Sequence, residues 1–184
     1  MKILIVGGTN FVGRHITARA IQRGHDVSLL NRCNNTDIFP QIKRYCEDRN
    51  YDIGAKIHTD CVIDVSGYYR HQIKNILNNV YTNCYAFVST SVVGLGSFKG
   101  QTPFEDYVNG KIECEDEIRE RVKNYIIFRP PYLCGKYDDT DRFDYSKWPD
   151  VYRMDTIDVV DYMDVSYFSY KVVNEIENKF IQLK

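Results

Sequence analysis

The sequence has little of what marks membrane proteins or nucleic-acid-binding proteins. Its apolar run near the N-terminus, residues 3–6, is too short for a signal-peptide core or a membrane-spanning helix. No later segment is long and apolar enough either, so the sequence predicts a cytoplasmic protein with no membrane partner. The formal net charge is −1, which argues against a general affinity for nucleic acid.

The chain also lacks a metal-binding cysteine pattern. Its six cysteines are widely spaced, and no two form a C-x-x-C pair, so no metal site is expected. In a reducing cytosol we expect free thiols. These cysteines are Cys33, Cys46, Cys61, Cys84, Cys114 and Cys134.

What is present is an ordinary globular composition with a regular alternation of element types. A length of 184 residues predicts one domain spanning residues 1–184. The predicted strands cover 3–6, 27–30, 42–46, 61–65, 85–89 and 125–128, and the predicted helices cover 12–23, 71–80, 107–121 and 159–177. This order predicts an α/β fold, a Rossmann-type doubly wound parallel sheet with helices on both faces.

A glycine-rich loop directly follows the first predicted strand and opens the first predicted helix. Glycines permit a tight turn and let the backbone approach a phosphate without a Cβ in the way. The helix N-terminus then offers N–H groups and a positive dipole end to the anion. We therefore predict a dinucleotide pyrophosphate site. Its residues are Gly7, Thr9, Asn10, Phe11, Val12 and Gly13.

The end of the second predicted strand indicates which dinucleotide is bound. NAD-specific sites place Asp or Glu there to hold the ribose 2′-hydroxyl, about twenty residues after the loop. This chain has Asn31 and Arg32 instead. Because an arginine pairs well with a 2′-phosphate, NADP is favoured over NAD as the cofactor. Arg14, just after the loop, is a candidate to assist.

Several motifs together resemble the short-chain dehydrogenase/reductase superfamily, in particular its extended and atypical branch of NAD-dependent epimerase/dehydratases. The similarity extends to nucleotide-sugar enzymes of the GDP-L-fucose synthase type. The segment 31–40 also resembles chloroplast stem-loop RNA-binding relatives. The motifs are residues 7–13, Asp48, 65–67, 87–91, Tyr107-x-x-x-Lys111 and 129–135.

The resemblance implies further cofactor contacts beyond the glycine-rich loop. Asp48 corresponds to the family residue that contacts adenine, and residues 129–135 to the segment beside the nicotinamide. The full set that we expect outside the loop is Asn31, Arg32, Asp48, Arg49, Ser66, Gly67, Lys111, Pro130 and Leu133.

The residues also suggest a proton-transfer site. Hydride transfer to a carbonyl requires a proton at the oxygen as charge develops there. Tyr107 is the predicted acid/base, and Lys111, four residues later on the same helix face, favours the phenolate by its charge. Ser91 by position, or else Thr90, is the predicted hydroxyl that orients the substrate oxygen.

Departures from the family pattern narrow the predicted reaction. Val92 and Val93 stand where dehydratases carry an acid pair and where fucose-synthase-type enzymes carry a cysteine, which argues against dehydration and double epimerisation. The four histidines lie outside the expected substrate side. Simple carbonyl reduction or 4-epimerisation remains, since each needs only the cofactor, Tyr107, Lys111 and the hydroxyl.

The chain is shorter than extended family members, and the resemblance implies that their C-terminal substrate lobe is reduced here to a loop at about 136–158. Arg142, Tyr145 and Trp148 are the candidates there to contact a nucleotide-linked keto sugar. A second subunit is another source of substrate contacts. The family's usual pairing, here through helices 71–80 and 107–121, is compatible with a homodimer.

Two other functions stay open at this point. A chain without a substrate lobe could be a non-catalytic NADP-binding redox sensor or interaction module. RNA binding rests only on the stem-loop-binding relatives, and the near-neutral charge argues against it.

Overall fold

The computed structural model describes residues 1–97, 99, 102–138 and 162–183. The strands are β1 Lys2–Val6, β2 Asp26–Asn31, β3 Lys43–Cys46, β4 Ile57–Asp64, β5 Val80–Val88, β6 Tyr125–Phe128, β7 Tyr132–Cys134 and β8 Tyr162–Asp164. The helices are α1 Phe11–Gln22, α2 Arg70–Asn79, α3 Pro103–Arg121 and α4 Val165–Gln182, with a 3₁₀ turn at Ser91–Leu95.

Six strands form one parallel sheet in the order β3-β2-β1-β4-β5-β6. The order reverses between β1 and β4, so the carboxyl ends of these central strands flank a crevice. In open α/β sheets, ligands bind at this switch point. The predicted doubly wound fold is confirmed.

The alternation of apolar side chains along β1 shows why the sheet is covered on both faces. Ile3 and Ile5 belong to one buried cluster, which includes residues of α1 and α4. Leu4 and Val6 belong to a second cluster, which includes residues of α2 and α3. Because successive strand side chains point to opposite faces of the sheet, a continuous apolar run contributes side chains to both buried clusters.

Helix α3 begins four residues before the predicted start at Tyr107. Thr102 caps it by accepting a hydrogen bond from the Glu105 backbone N–H at 3.2 Å, and Pro103 occupies the first turn, where it loses no helical hydrogen bond. Tyr107 therefore lies in the second turn rather than at the helix start. Its phenol and the side chain of Lys111 share the helix face as predicted.

The predicted C-terminal helix at 159–177 is wrong at both ends within the described residues. Tyr162–Asp164 forms β8, which pairs in parallel with the equally unpredicted β7. The helix begins at Val165, because Asp164 caps it by accepting from the N–H groups of Ser166 and Tyr167 at 2.9 and 3.0 Å. Most of the predicted loop at 136–158 lies outside the described residues.

The prediction of free thiols is wrong for two cysteines. Cys33 and Cys46 form a disulfide with a Cα–Cα distance of 5.3 Å. The register of β2 and β3 places Asn31 opposite Cys46, so the chain two residues beyond Asn31 comes within bonding reach. Cys61, Cys84, Cys114 and Cys134 are free and buried.

Two surveys of the described residues bear on function. None of the helices there combines the length and apolar character needed to cross a bilayer. In the same part of the chain, His, Cys, Asp and Glu side chains form no cluster suited to a metal ion.

Candidate active site

A cleft of about 960 Å³ opens at the carboxyl ends of the central strands. It brings together nearly all of the residues predicted for cofactor binding and catalysis. Gly67 is the exception, since it is buried and packs against Phe87 and Ile73 rather than lining the cleft. The predicted residues that line it are Gly7, Thr9, Asn10, Phe11, Val12, Gly13, Asn31, Arg32, Asp48, Arg49, Ser66, Ser91, Tyr107, Lys111, Pro130 and Leu133.

The glycine-rich loop has the close packing that its sequence predicts. Gly7 has a φ of +83°, and a Cβ on Gly13 would lie 2.0 Å from the carbonyl oxygen of Gly7. Helix α1 has no side-chain cap and no acidic residue in its first turn. The Asn10 side chain instead accepts a hydrogen bond from Asn35 at 2.8 Å. The backbone N–H groups of this turn therefore suit an anion.

The other end of the cleft lies beside the ends of β2 and β3. Arg32 is exposed there and lines the cleft. Asp48 also lines it, and its carboxylate accepts hydrogen bonds from the backbone and side chain of Asn50. Arg14, by contrast, stacks its guanidinium 3.7 Å from the ring centre of Tyr137 and is not among the residues that line the cleft.

Arg49, which lines the cleft, belongs to a buried ion pair that the sequence did not reveal. Arg49 donates to both carboxylate oxygens of Asp64, at 2.6 and 2.5 Å, and to Ser66 Oγ at 3.1 Å. The buried hydroxyl of Tyr85 donates to the same carboxylate at 2.6 Å. Burial raises the pKa of Asp64, but the charge and hydrogen bonds of Arg49, together with the hydrogen bond from Tyr85, outweigh burial and leave the pKa of this carboxyl below its ordinary value.

The predicted catalytic groups all line this cleft. Lys111 Nζ lies 5.9 Å from the ring centre of Tyr107 and 5.0 Å from that of Tyr68. Ser91 opens the 3₁₀ turn after β5, and its N–H donates to the carbonyl of Pro130 at 2.9 Å. Thr90, the alternative hydroxyl, lines the cleft as well.

The environment of Lys111 lowers the pKa of its ammonium group. The side chain is buried and donates to the carbonyl of Val88 at 3.0 Å. Burial lowers the pKa of Lys111 from 10.5 to about 8, and the negative charge of Asp64 partly opposes that decrease. A lysine with a pKa of about 8 is mostly charged at neutral pH, but it loses its proton only slightly above neutral pH.

Sequence reasoning also missed a set of aromatic residues and one carboxylate around the site. Three exposed aromatic side chains, Tyr68, Phe104 and Tyr132, line the cleft. The position of Tyr68 directly after Ser66 and Gly67 could have indicated it. The carboxylate is Glu115, which accepts from the Ser89 hydroxyl at 2.6 Å and follows Lys111 at the next i+4 position of α3.

Three predicted substrate contacts fall outside this description. Arg142, Tyr145 and Trp148 lie outside the described residues. They stay sequence predictions.

Sequence comparisons relate the chain to known proteins. Residues 3–84 match the model of the NAD dependent epimerase/dehydratase family. The chain is 28% identical over 137 residues to a UDP-glucose 4-epimerase of Klebsiella pneumoniae, covering 69% of this chain and 87% of that protein. It is 27% identical over 161 residues to the chloroplast stem-loop binding protein of 41 kDa b of Arabidopsis thaliana, covering 73% and 42%. The chain thus spans less than half the length of the second relative.

Solved structures share the fold at low sequence identity. A short-chain dehydrogenase/reductase from Veillonella parvula in complex with NADP superposes with a TM-score of 0.68 at 13% identity, covering 96% of this chain and 87% of that one. UDP-N-acetylglucosamine 4-epimerase from Bacillus cereus superposes with a TM-score of 0.62 at 14% identity, covering 98% and 76%. Likeness at these identities shows the fold alone.

The sequence comparisons support an NAD(P)-dependent enzyme of the oxidoreductase or epimerase type. The similarity to GDP-L-fucose synthase stays a prediction. Residues 3–84 carry the sequence pattern of the NAD dependent epimerase/dehydratase family, and the described chain has the fold of the short-chain dehydrogenase/reductases.

Proposed function

We propose that this chain is an NADP-dependent oxidoreductase or 4-epimerase of the short-chain dehydrogenase/reductase type, acting on a nucleotide-linked keto sugar. The observation that carries the proposal is the shared cleft. The phosphate loop after β1 and the three groups Ser91, Tyr107 and Lys111 line one continuous space. The proposed dinucleotide site and the proposed proton-transfer site are therefore adjacent.

Two features of the cleft support a dinucleotide as its ligand. A Cβ on Gly13 would fill the space beside the Gly7 carbonyl, and the first turn of α1 has no side-chain cap. We infer that the pyrophosphate binds this turn and that Asp48 contacts the adenine. Lys111 would then hold the nicotinamide ribose, between Tyr107 and the end of β5.

Arg32 is the reason to propose NADP rather than NAD. It is exposed, lines the cleft and follows the last residue of β2, where NAD-binding proteins carry an acidic side chain. A 2′-phosphate is recognised well by a guanidinium, which can donate two parallel hydrogen bonds.

When bound, the cofactor supplies or accepts the hydride. Tyr107 then donates a proton to the substrate oxygen during reduction and takes one during oxidation. The charge of Lys111 favours the phenolate form of Tyr107, and its hydrogen bond to Val88 fixes the ammonium. Ser91 donates a hydrogen bond to the same substrate oxygen, which stabilises the charge that develops there.

The UDP-sugar 4-epimerases among the similar proteins favour UDP-linked sugars as the first substrates to test. NADPH oxidation is measured with 4-keto derivatives of UDP-, GDP- and TDP-sugars, and 4-epimerisation is measured by chromatography of UDP-glucose. We expect turnover that Tyr107→Phe reduces by about 100-fold or more. Tyr125→Phe, at an exposed tyrosine at the start of β6, is the matched control and should retain full activity.

Calorimetry with NADPH separates this proposal from the non-catalytic alternative. Tight NADPH binding without turnover on any substrate would favour a redox sensor or interaction module. Wild-type activity equal to that of Tyr107→Phe would refute the assigned acid/base, and absent NADPH binding would refute the cofactor.

A further inference from the structure

Glu115 lies on the stripe of α3 that carries the predicted catalytic groups. Tyr107, Lys111 and Glu115 follow one another at intervals of four residues, which places them on one helix face. Lys111 reaches the carbonyl of Val88, and Glu115 reaches the side chain of the next residue, Ser89. The stripe therefore contacts the carboxyl end of β5 at two successive residues.

The carboxylate of Glu115 is fully buried and accepts hydrogen bonds from three side chains. Ser89 Oγ donates to Oε1 at 2.6 Å. Arg129 donates to both oxygens, at 2.9 and 2.5 Å, and Arg119 donates to Oε2 at 2.5 Å. Burial raises the pKa of Glu115, but the hydrogen bonds from Arg129, Ser89 and Arg119 outweigh this and leave the pKa below its ordinary value.

Two of these partners lie directly beside cleft-lining segments. Ser89 lines the cleft and precedes Ser91 by two residues, and Arg129 immediately precedes Pro130. Backbone hydrogen bonds join the same segments, since the N–H of Ser91 donates to the Pro130 carbonyl at 2.9 Å. Glu115 itself does not line the cleft, so any effect on a reaction passes through these neighbours.

We propose that Glu115 is a positioning residue, which holds the Ser91 turn and the Arg129-Pro130 segment at a fixed place relative to Tyr107 and Lys111 on α3. This inference rests on the proposed function. In this role one carboxylate fixes the relative positions of three chain segments. They are the end of β5, the end of β6 and the second and third turns of α3. A buried group with three charged or hydroxyl donors is well suited to that role, because its geometry is fixed from several directions.

Glu115→Gln is the informative substitution. Glutamine has nearly the same size and keeps one acceptor oxygen. Its NH₂ group is a donor, so it cannot accept a hydrogen bond from the guanidinium groups that it would face. We expect Ser89 and Arg129 to shift while α3 remains folded. Because a displacement of about 1 Å at reacting groups can cost up to about 100-fold in rate, kcat should decrease by about tenfold or more, with a smaller change in KM.

Glu117→Gln is the matched control. Glu117 lies two residues further along α3, is also buried, and pairs with Arg70 at 2.8 Å and Arg121 at 3.1 Å, away from the cleft. Its substitution should lower Tm by an amount similar to that of Glu115→Gln and leave kcat within about twofold of wild type. Equal losses of kcat in the two variants, or full kcat in Glu115→Gln, would overturn the proposal.

A binding measurement keeps the test independent of turnover. NADPH and 2′,5′-ADP, which represents only the adenosine half, are titrated by calorimetry into wild type and both variants. We expect Glu115→Gln to weaken NADPH binding by about fivefold or more and to leave 2′,5′-ADP binding unchanged, because only the nicotinamide end contacts the displaced segments. Equal weakening of both ligands contradicts a positioning role.

The two proposals fail in different ways. If wild type binds NADPH but turns over no substrate, the proposed function fails, and the affinity ratio still tests Glu115. If Glu115→Gln does not fold, Ser89→Ala removes one of the three donors and leaves both arginine pairs in place. Ser89→Ala should then weaken NADPH binding more than 2′,5′-ADP binding, as expected for Glu115→Gln. An unchanged ratio of the two affinities overturns the proposal.

Discussion

Lys111 Nζ donates a hydrogen bond of 3.0 Å to the backbone carbonyl of Val88, at the carboxyl end of β5. The side chain of Lys111 is almost entirely buried, and burial lowers its pKa to about 8. The rings of Phe87 and Tyr68 lie 4.8 and 5.0 Å from the ammonium and partly replace its hydration. The folded protein therefore buries the Lys111 ammonium, and the loss of its hydration opposes folding.

Lys111→Met should therefore stabilise the protein while removing activity. Folding lowers the pKa of Lys111 from 10.5 to about 8, so the unfolded chain binds more protons between these pH values and the penalty from Lys111 shrinks as pH rises. We expect the variant to gain about 1–2 kcal/mol in unfolding free energy at pH 7. At pH 9.5 the gain should be smaller.

Urea denaturation at the two pH values checks this prediction. The control is Lys74→Met, at an exposed lysine of α2, which should change stability by less than about 0.5 kcal/mol. A Lys111→Met protein that is less stable than wild type at pH 7 would show that the hydrogen bond to Val88 outweighs desolvation.

The fold was predictable where local pattern and tertiary structure agree. The run from Ile3 to Val6, followed by glycines, predicts a buried strand that ends in a phosphate-binding turn. The strand and the tight glycine turn are present, and phosphate binding by this turn stays a prediction. The short strands β7 and β8 were not predictable. Each has three residues and exists only because the other pairs with it across about thirty residues of chain, so no local pattern marks them.

The candidate site likewise has features that the local sequence predicts and features that depend on tertiary contacts. Lys111 was predictable because the i+4 spacing from Tyr107 is a property of any helix. The orientation of Arg14 was not, because its partner Tyr137 lies far along the sequence. The disulfide between Cys33 and Cys46 depends on the register of β2 and β3, which the spacing of the cysteines does not reveal.

Reduction of the disulfide should destabilise the protein. The bond links residues 13 apart. In the chain-entropy model, a cross-link that closes a loop of this size lowers the entropy of the unfolded chain and so stabilises the folded state by about 3 kcal/mol. We expect urea denaturation with a reductant to show a loss of up to this amount. Cys33→Ser should be less stable than oxidised wild type and should not respond to the reductant.

Thiol titration in denaturant gives an independent check. Protein purified without reductant should expose four reactive thiols, those of Cys61, Cys84, Cys114 and Cys134. A count of six would show that the bond does not form under those conditions.

Gly13→Ala should abolish dinucleotide binding. The added Cβ would lie 2.0 Å from the Gly7 carbonyl oxygen, and this contact is with backbone, which cannot move without displacing the phosphate loop. We expect a loss of about 2 kcal/mol or more in stability and no NADPH binding detectable by calorimetry. Gly54→Ala is the control, because its Cβ would meet only Glu47 Oε1 at 3.6 Å, and it should bind NADPH as wild type does.

Arg32→Asp should reverse the cofactor preference. Arg32 is exposed on the cleft beside the end of β2, and an aspartate there would repel a 2′-phosphate and accept a hydrogen bond from a ribose 2′-hydroxyl. We expect NADPH affinity to decrease by about 100-fold and NADH affinity to increase, both measured by calorimetry. Arg14→Ala is the discriminating control. Since its guanidinium stacks on Tyr137, it should leave the ratio of the two affinities unchanged. If Arg14→Ala lowers NADPH affinity and Arg32→Asp does not, the 2′-phosphate is recognised from α1 and the assignment of Arg32 is wrong.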